Sequence, residues 1–273
     1  MQALHGKVAL VTGASAPKGI GRAIAQRLAQ DGAHVVVTDI SGAIEGGMTT
    51  RAGLLDALAQ DIITRGGSAL ALTLDVTSAR DIAAVLEQVL ARFGRLDILV
   101  NNAGSLAGSD NFLSTNAAQW TSSFEVNLLG PMMLSQAVIP EMRKLGGGRI
   151  INIGSTGSLG AEAGFGAYTA MKHGLVGLTK TLAAEFGPDG ILCNTVCPGF
   201  IATDMHEAAN TRLSQKQGMS VADIKQQRYA NVALRDAGLP QDVANAVAFL
   251  AGPEAQYVTG INLPVTGGVP FGI

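Results

Sequence analysis

Val8-Ala9-Leu10-Val11 runs without a polar residue into a glycine-rich turn, Thr12-Gly13-Ala14-Ser15-Ala16-Pro17-Lys18-Gly19-Ile20-Gly21, and the turn opens directly into a helix-periodic segment. A strand that is apolar on both faces must be covered on both, which is the situation inside a parallel sheet. The helix is read from Ile20, Ile24 and Leu28 at intervals of four, with Arg22, Gln26, Arg27 and Gln30 interspersed and Asp31-Gly32 closing it. Strand, glycine turn and helix in this order aim the first helical N–H groups at the strand's carboxyl end, where a pyrophosphate can be received.

The order then repeats. Val35-Val36-Val37 forms a second buried strand, followed by a helix over about 53–65, a strand 70–74, a helix 79–93, a strand 96–100, a helical region 117–145, a strand 149–153, a helix 164–186 and a strand 191–196. Such alternation predicts a doubly wound α/β architecture, a parallel sheet with helices on both faces. No linker or repeat divides the chain, so residues 1–273 are expected to form a single domain. Two excursions exceed ordinary loop lengths, 41–51 and about 200–230, and the second is the candidate substrate lid.

Composition excludes several function classes. With 19 basic and 21 acidic side chains and no block of like charge, neither nucleic acid nor an anionic membrane surface is expected as a partner. No apolar run is long enough to span a bilayer, and the two cysteines, Cys193 and Cys197, are too few for a disulfide framework, so a cytoplasmic protein is expected. Both cysteines read as buried small apolar residues. His5, His34, His173 and His206 have no metal spacing, and no metal site is expected; of these only His206 falls in the candidate lid.

Asp39 ends the second strand about twenty residues after the turn. A carboxylate there can accept hydrogen bonds from both ribose hydroxyls of an adenosine, and it repels a 2′-phosphate, which favours NAD over NADP. Lys18 pulls the other way, since a cation near that ribose could pair with the phosphate. Further along, Tyr168 and Lys172 stand at i and i+4 on one helix face, and Ser155 ends the strand before them. A cation beside a phenol favours phenolate, which would bring tyrosine toward use as a general acid or base.

Taken together, these pieces resemble the short-chain dehydrogenase/reductase family over essentially the whole chain. The resembling residues are the Thr-Gly…Gly-Ile-Gly turn, Asp39, Asp75-Val76, Asn101-Asn102-Ala103-Gly104, Asn127, Ser155 thirteen before Tyr168, Lys172, and Pro198-Gly199 with Thr203. The resemblance implies a Rossmann fold and an oxidoreductase acting on CH–OH groups. Tyr168 would be the acid/base, Lys172 would lower its pKa and hold the nicotinamide ribose, Ser155 would orient the substrate oxygen, and Asn127 would hold a water linking Lys172 to solvent. Gly13, Ser15, Gly19, Ile20 and Gly21 would cradle phosphate, Asp75 and Val76 would contact adenine, and Asn102, Ala103 and Gly104 would line the cofactor. Pro198, Gly199, Ile201 and Thr203 would hold its nicotinamide end.

Three features depart from the family pattern, one of them a loop after Asp39 that is longer than usual. Five residues, Ala14 to Lys18, separate Gly13 from Gly19 where three are usual, and Thr266 stands before Gly267-Gly268 where Asp is common. Trp120 is expected to be a packing residue, and Phe165 either core or pocket wall. Gly164, Gly166, Gly174 and Gly177 each weaken the Tyr168 helix by roughly 1 kcal/mol, which suggests close helix approach. With the family's habit of packing this helix against another subunit, a homotetramer is expected. The expected function is hydride transfer between NAD, with NADP possible, and a small or medium secondary alcohol or ketone such as a sugar, polyol or cyclic alcohol. The alternative is an NADPH-dependent 3-oxoacyl thioester reductase. A non-catalytic dinucleotide sensor fits less well, because it has no need of a proton relay.

Overall fold

The computed structural model describes residues 2–42 and 50–270. Among these, β1 (Val8–Thr12), β2 (His34–Asp39), β3 (Ser68–Thr73), β4 (Ile98–Asn101), β5 (Gly148–Ile153), β6 (Ile191–Pro198) and β7 (Asn262–Val265) form one parallel sheet in the order β3-β2-β1-β4-β5-β6-β7. The helices are α1 (Ile20–Gln30), α2 (Arg51–Thr64), α3 (Ala79–Phe93), α4 (Ala117–Phe124), α5 (Gly130–Lys144), α6 (Gly166–Phe186), α7 (Asp204–Gln217), α8 (Val221–Tyr229) and α9 (Pro240–Ala251).

Alternation along the strands divides the core into two layers. Ala9, Val11, Val35, Val37, Val100 and Ile151 face α1, α2 and α9, where they meet Ile24, Leu28, Leu55, Leu58, Val243 and Val247. Val8, Leu10, Val36, Leu99 and Ile150 face α3, α5 and α6, against Val85, Val89, Leu134, Val138 and Leu182. Strand order runs one way from β1 through β3 and the other way from β4 onward, so β1 and β4 flank the switch point. A crevice opens there at the carboxyl ends, the place such sheets bind ligands.

The expected doubly wound single domain is what forms, with differences at particular elements. α2 begins two residues earlier than expected because the Thr50 hydroxyl accepts from the Gly53 N–H at 3.1 Å and caps it. The helical region expected over 117–145 is broken by a π-helical stretch, Glu125–Leu129, between α4 and α5. A π-turn inserts one residue without changing apolar spacing enough to be read, and such turns concentrate at functional sites. α9 and β7 were not anticipated. β7 holds Pro264, which would disqualify a central strand, but it pairs only with β6 at the sheet edge. Of the 41–51 excursion, residues 43–49 lie outside the described residues, as do the extreme ends of the 1–273 domain.

Candidate active site

The glycine turn is locked to the end of β4. The Asn102 Nδ2 donates to the carbonyls of Thr12 at 2.8 Å and Gly13 at 2.9 Å, while the Thr12 hydroxyl accepts from the N–H groups of Asn102 and Ala103, both at 3.0 Å. Two glycines make this contact possible. Gly13 has φ +67°, and a Cβ there would lie 2.9 Å from the Ala103 Cα; a Cβ on Gly21 would lie 2.5 Å from both the Gly13 oxygen and the Asn102 Nδ2. The extra residues of the turn are held by Gly19 N–H donating to the Ala16 carbonyl at 3.0 Å and Lys18 N–H donating to Asp204 Oδ2 at 2.9 Å. Gly19 caps α1 with no side chain, which leaves the amides of Ile20, Gly21 and Arg22 without intrahelical acceptors. These residues fit a dinucleotide's pyrophosphate.

On the far side of the turn, Asp39 Oδ2 accepts from the Ser15 N–H at 3.1 Å and hydroxyl at 2.7 Å. Asp39 Oδ1 accepts from the Ile40 N–H at 2.9 Å and faces the Arg51 guanidinium at 3.8 Å. Arg51 was not singled out in the sequence, because the loop before it carries no pattern that brings it back to β2. Asp75 uses its Oδ1 on its own turn, accepting from the Thr77 N–H and hydroxyl, and Val76 packs where a Cβ on Gly130 would come within 3.0 Å.

Ser155, Tyr168, Lys172 and Asn127 are brought together by β5, α6 and the π-turn. Gly157 lies between two of them, since a Cβ there would be 3.6 Å from both the Ser155 Oγ and the Tyr168 ring Cε1. Ser155 is held by its N–H donating to the Ser158 Oγ and its own Oγ accepting from the Gly157 N–H, both at 3.1 Å. Lys172, 4% exposed, donates from Nζ to the Ile153 carbonyl at 2.8 Å and lies 5.5 Å over the Tyr168 ring centroid. Asn127 is fully buried, its Nδ2 donating to Ser105 and Ser123 carbonyls at 2.9 and 3.0 Å and its Oδ1 accepting from the Ser105 N–H at 3.2 Å. Gly104 joins the two, since a Cβ there would be 3.3 Å from the Asn127 Oδ1 and 3.9 Å from the Lys172 Nζ.

The titration of this cluster differs from the sequence expectation. Burial pushes the Tyr168 phenol above its ordinary value, a hydrogen bond to Ser155 opposes this, and Cys197 adds to the rise. Lys172 has its own pKa lowered to about 8 by burial. Helix spacing reported that the two residues are neighbours, but not how strongly burial acts on each of them. Cys197 is pushed up to about 11 and Cys193 to about 12, both by burial, which makes them inert thiols as expected.

The residues expected at the nicotinamide end close β6 at Pro198 and continue beyond it. Gly199 donates to the Val265 carbonyl at 3.0 Å, and a Cβ on it would be 3.0 Å from the Thr266 Cα, so Thr266 backs this corner. Ile201 is buried and pairs with Gly238, and the Thr203 hydroxyl caps α7 by accepting from the His206 N–H at 3.2 Å. Phe200, His206 and Tyr229 form an aromatic cluster, with centroids 5.6–5.9 Å apart, and the His206 Nε2 meets the Tyr229 hydroxyl at 2.7 Å. Burial first, then Arg228, lowers the His206 pKa to about 4, so the ring is neutral at pH 7. Phe165 meets Tyr168 edge-on at 6.4 Å, and Trp120 packs edge-on to Phe112 at 6.2 Å.

Residues 13–270 match a family model described as enoyl-(acyl carrier protein) reductase. The 3-oxoacyl-acyl-carrier-protein reductase FabG of Vibrio cholerae is 41% identical over 269 residues, covering 97% of this chain and 98% of the relative. Among solved structures, levodione reductase superposes with a TM-score of 0.87 at 30% identity, covering 97% of this chain and 98% of its own. A variant actinorhodin polyketide ketoreductase with NADPH also gives a TM-score of 0.87, at 35% identity, covering 96% of this chain and 97% of its own.

Proposed function

This chain belongs to the short-chain dehydrogenase/reductase family, an oxidoreductase working between a CH–OH group and a carbonyl with a nicotinamide dinucleotide, and from that premise we propose that it reduces a 3-oxoacyl thioester. The observation that carries the proposal is the meeting of Ser155 and Tyr168 about Gly157, with the Lys172 Nζ 5.5 Å over the Tyr168 ring centroid. A protonated phenol is the right partner for a carbonyl oxygen that gains negative charge as it is reduced. The choice of a thioester rests on the 41% identity to the Vibrio cholerae 3-oxoacyl reductase over nearly the full length of both chains, which favours this reading over a sugar or polyol.

In the proposed reaction the dinucleotide supplies the hydride. Ser155, fixed by Gly157 and Ser158, donates its hydroxyl to the substrate oxygen and orients the carbonyl. Tyr168 transfers its proton to that oxygen. Lys172, charged at neutral pH, stabilises the phenolate that results, and Asn127 holds the π-turn against Ser105 so that the proton can be restored from solvent. Gly13, Ser15, Gly19, Ile20, Gly21, Asp39, Asp75, Val76, Asn102, Ala103, Gly104, Pro198, Gly199, Ile201 and Thr203 bound the cofactor, with Asn102 bracing the turn.

Asp39 favours NADH, while the Arg51 guanidinium at 3.8 Å offsets part of its charge. We therefore expect NADH to lead NADPH by about tenfold in kcat/KM, a difference of about 1.4 kcal/mol. α7 and α8 form the substrate lid. A homotetramer is proposed from the α6 glycines: Gly174 already meets Leu128, but Gly177 faces open space, as a helix awaiting a second subunit would. Among the described residues no helix is long and apolar enough to cross a membrane, and the reading includes a cytoplasmic location.

The test is loss of reduced-nicotinamide absorbance with an acetoacetyl thioester against a panel of sugars, polyols and cyclic ketones, each with NADH and NADPH. Turnover confined to cyclic ketones would instead favour the second reading, for which the levodione reductase likeness and the aromatic wall of Phe200, His206 and Tyr229 are the grounds.

A further inference from the structure

α7 and α8 are tied to each other at three levels. His206 meets Tyr229, Glu207 pairs with Lys225 at 3.3 Å, and Arg228 hydrogen-bonds Asn210 while lying 4.9 Å over the Phe200 ring. Asn210, Ile224, Tyr229 and Val232 are buried inside the excursion. Its base is narrow. The chain enters through Ala202, whose N–H donates to the Gly238 carbonyl at 2.9 Å, and leaves past Arg235, a non-glycine residue at φ +59°. A unit that is rigid within and narrow at its base can rock as a body unless a further contact beside that base holds it.

Among the described residues, one hydrogen bond holds the first turn of α7 to a distant part of the chain. The Lys18 N–H donates to Asp204 Oδ2 at 2.9 Å, across 186 positions of sequence. Arg22, near the start of α1, attracts the same carboxylate. Lys18 belongs to the five residues between Gly13 and Gly19, so the lengthened turn is what supplies the donor. We infer that Asp204 is a positioning residue that fastens the α7–α8 unit to the dinucleotide turn. The two extra residues of the turn thereby become part of what orders the substrate side. A carboxylate accepting from a backbone N–H suits this task, because the bond is charge-assisted and its donor cannot rotate away. The inference rests on the proposed function only in taking α7–α8 as the cover of the substrate.

The experiment compares the full-length wild type with Asp204→Ala, Asp204→Asn and Lys18→Pro. Asparagine keeps an oxygen for the Lys18 N–H, alanine does not, and proline deletes the donor while leaving Asp204 in place. Expected for Asp204→Ala and for Lys18→Pro is a KM for the acetoacetyl thioester raised about two- to fivefold, from loss of one exposed charge-assisted hydrogen bond. The kcat of Asp204→Ala should change less than twofold, and in both variants limited proteolysis within 204–229 should be faster. Asp204→Asn should restore both readouts. A wild-type KM and cleavage rate in Asp204→Ala would overturn the inference. So would Asp204→Asn behaving like alanine, because the carboxylate would then serve only as a charge at the helix N-terminus. Cleavage rates need no turnover, so a protein that reduces no thioester still tests the fastening, and the two failures are distinguishable.

Discussion

Replacing Lys172 with methionine should abolish most turnover and yet stabilise the fold at pH 7. Burial lowers the lysine from an ordinary 10.5 to about 8, which at 1.36 kcal/mol per tenfold is about 3 kcal/mol against folding with the charge in place. Methionine removes that penalty with a side chain of similar length, but it leaves the Ile153 carbonyl, now 2.8 Å from Nζ, without its donor. An unpaired buried carbonyl costs about 1–3 kcal/mol, so the net is about 1 kcal/mol in favour of methionine. For a chain of this size that corresponds to a Tm roughly 2–4 °C higher. The sign reverses with pH. The unfolded lysine takes up its proton near 10.5 and the folded one only near 8, so between these values the unfolded state binds more protons and stability rises with pH. The wild type gains this increment and the variant does not, so by pH 10.5 the wild type should be the more stable by about 2 kcal/mol. Cys193 and Cys197, raised to about 12 and 11, act in the opposite direction in both proteins and largely cancel in the difference. Urea unfolding at fixed protein concentration and several pH values measures it. A methionine variant less stable than wild type by 2 kcal/mol or more at pH 7, with a pH-independent gap, would refute the argument that desolvation dominates this site.

Tyr168→Phe should lower kcat by about 10²–10⁴-fold while leaving NADH affinity within a few fold, since only the transferable proton is lost; a variant with a tenth of wild-type kcat would overturn the assignment. Asp39→Ser should narrow or reverse the NADH preference in kcat/KM, and Arg51→Ala in the wild-type background should widen it, because Arg51 faces the Asp39 Oδ1 at 3.8 Å. The rate of carbonyl reduction should fall as pH rises past about 8, where Lys172 loses the charge that stabilises the phenolate, and a profile flat to pH 9.5 would contradict this. Gly21→Ala should abolish dinucleotide binding in a fluorescence titration, because its Cβ would lie 2.5 Å from the Gly13 carbonyl, a backbone atom that cannot swing aside.

How much could be read from the chain depended on whether the signal was local. β1 announced itself because all five of its residues are buried, which leaves a run with no polar alternation. Ser155, Tyr168 and Lys172 were legible because a strand end and one helical turn fix their spacing. The π-turn holding Asn127 was not, since a five-residue change of hydrogen-bond pattern leaves the surrounding apolar spacing intact. Nor were β7 and Pro264, because a four-residue edge strand carries too little pattern to outweigh a proline.

The largest loss of information was electrostatic. From spacing alone, Tyr168 and Lys172 read as a cation drawing a phenol toward phenolate; in the folded chain burial acts on both and drives each toward its neutral form. The same limit applies to Asp39, whose partner Arg51 comes from the start of α2, and to Asp204, whose partner comes from the other end of the chain. A pairing made by the sheet's topology leaves no periodic trace in either partner's neighbourhood. The residues proposed for proton transfer could therefore be grouped from sequence, whereas the partners of Asp39 and Asp204 needed the fold. If cofactor preference follows Arg51 as well as Asp39, then reading specificity in this chain from the strand-end acid alone is insufficient, and the Arg51→Ala comparison decides it.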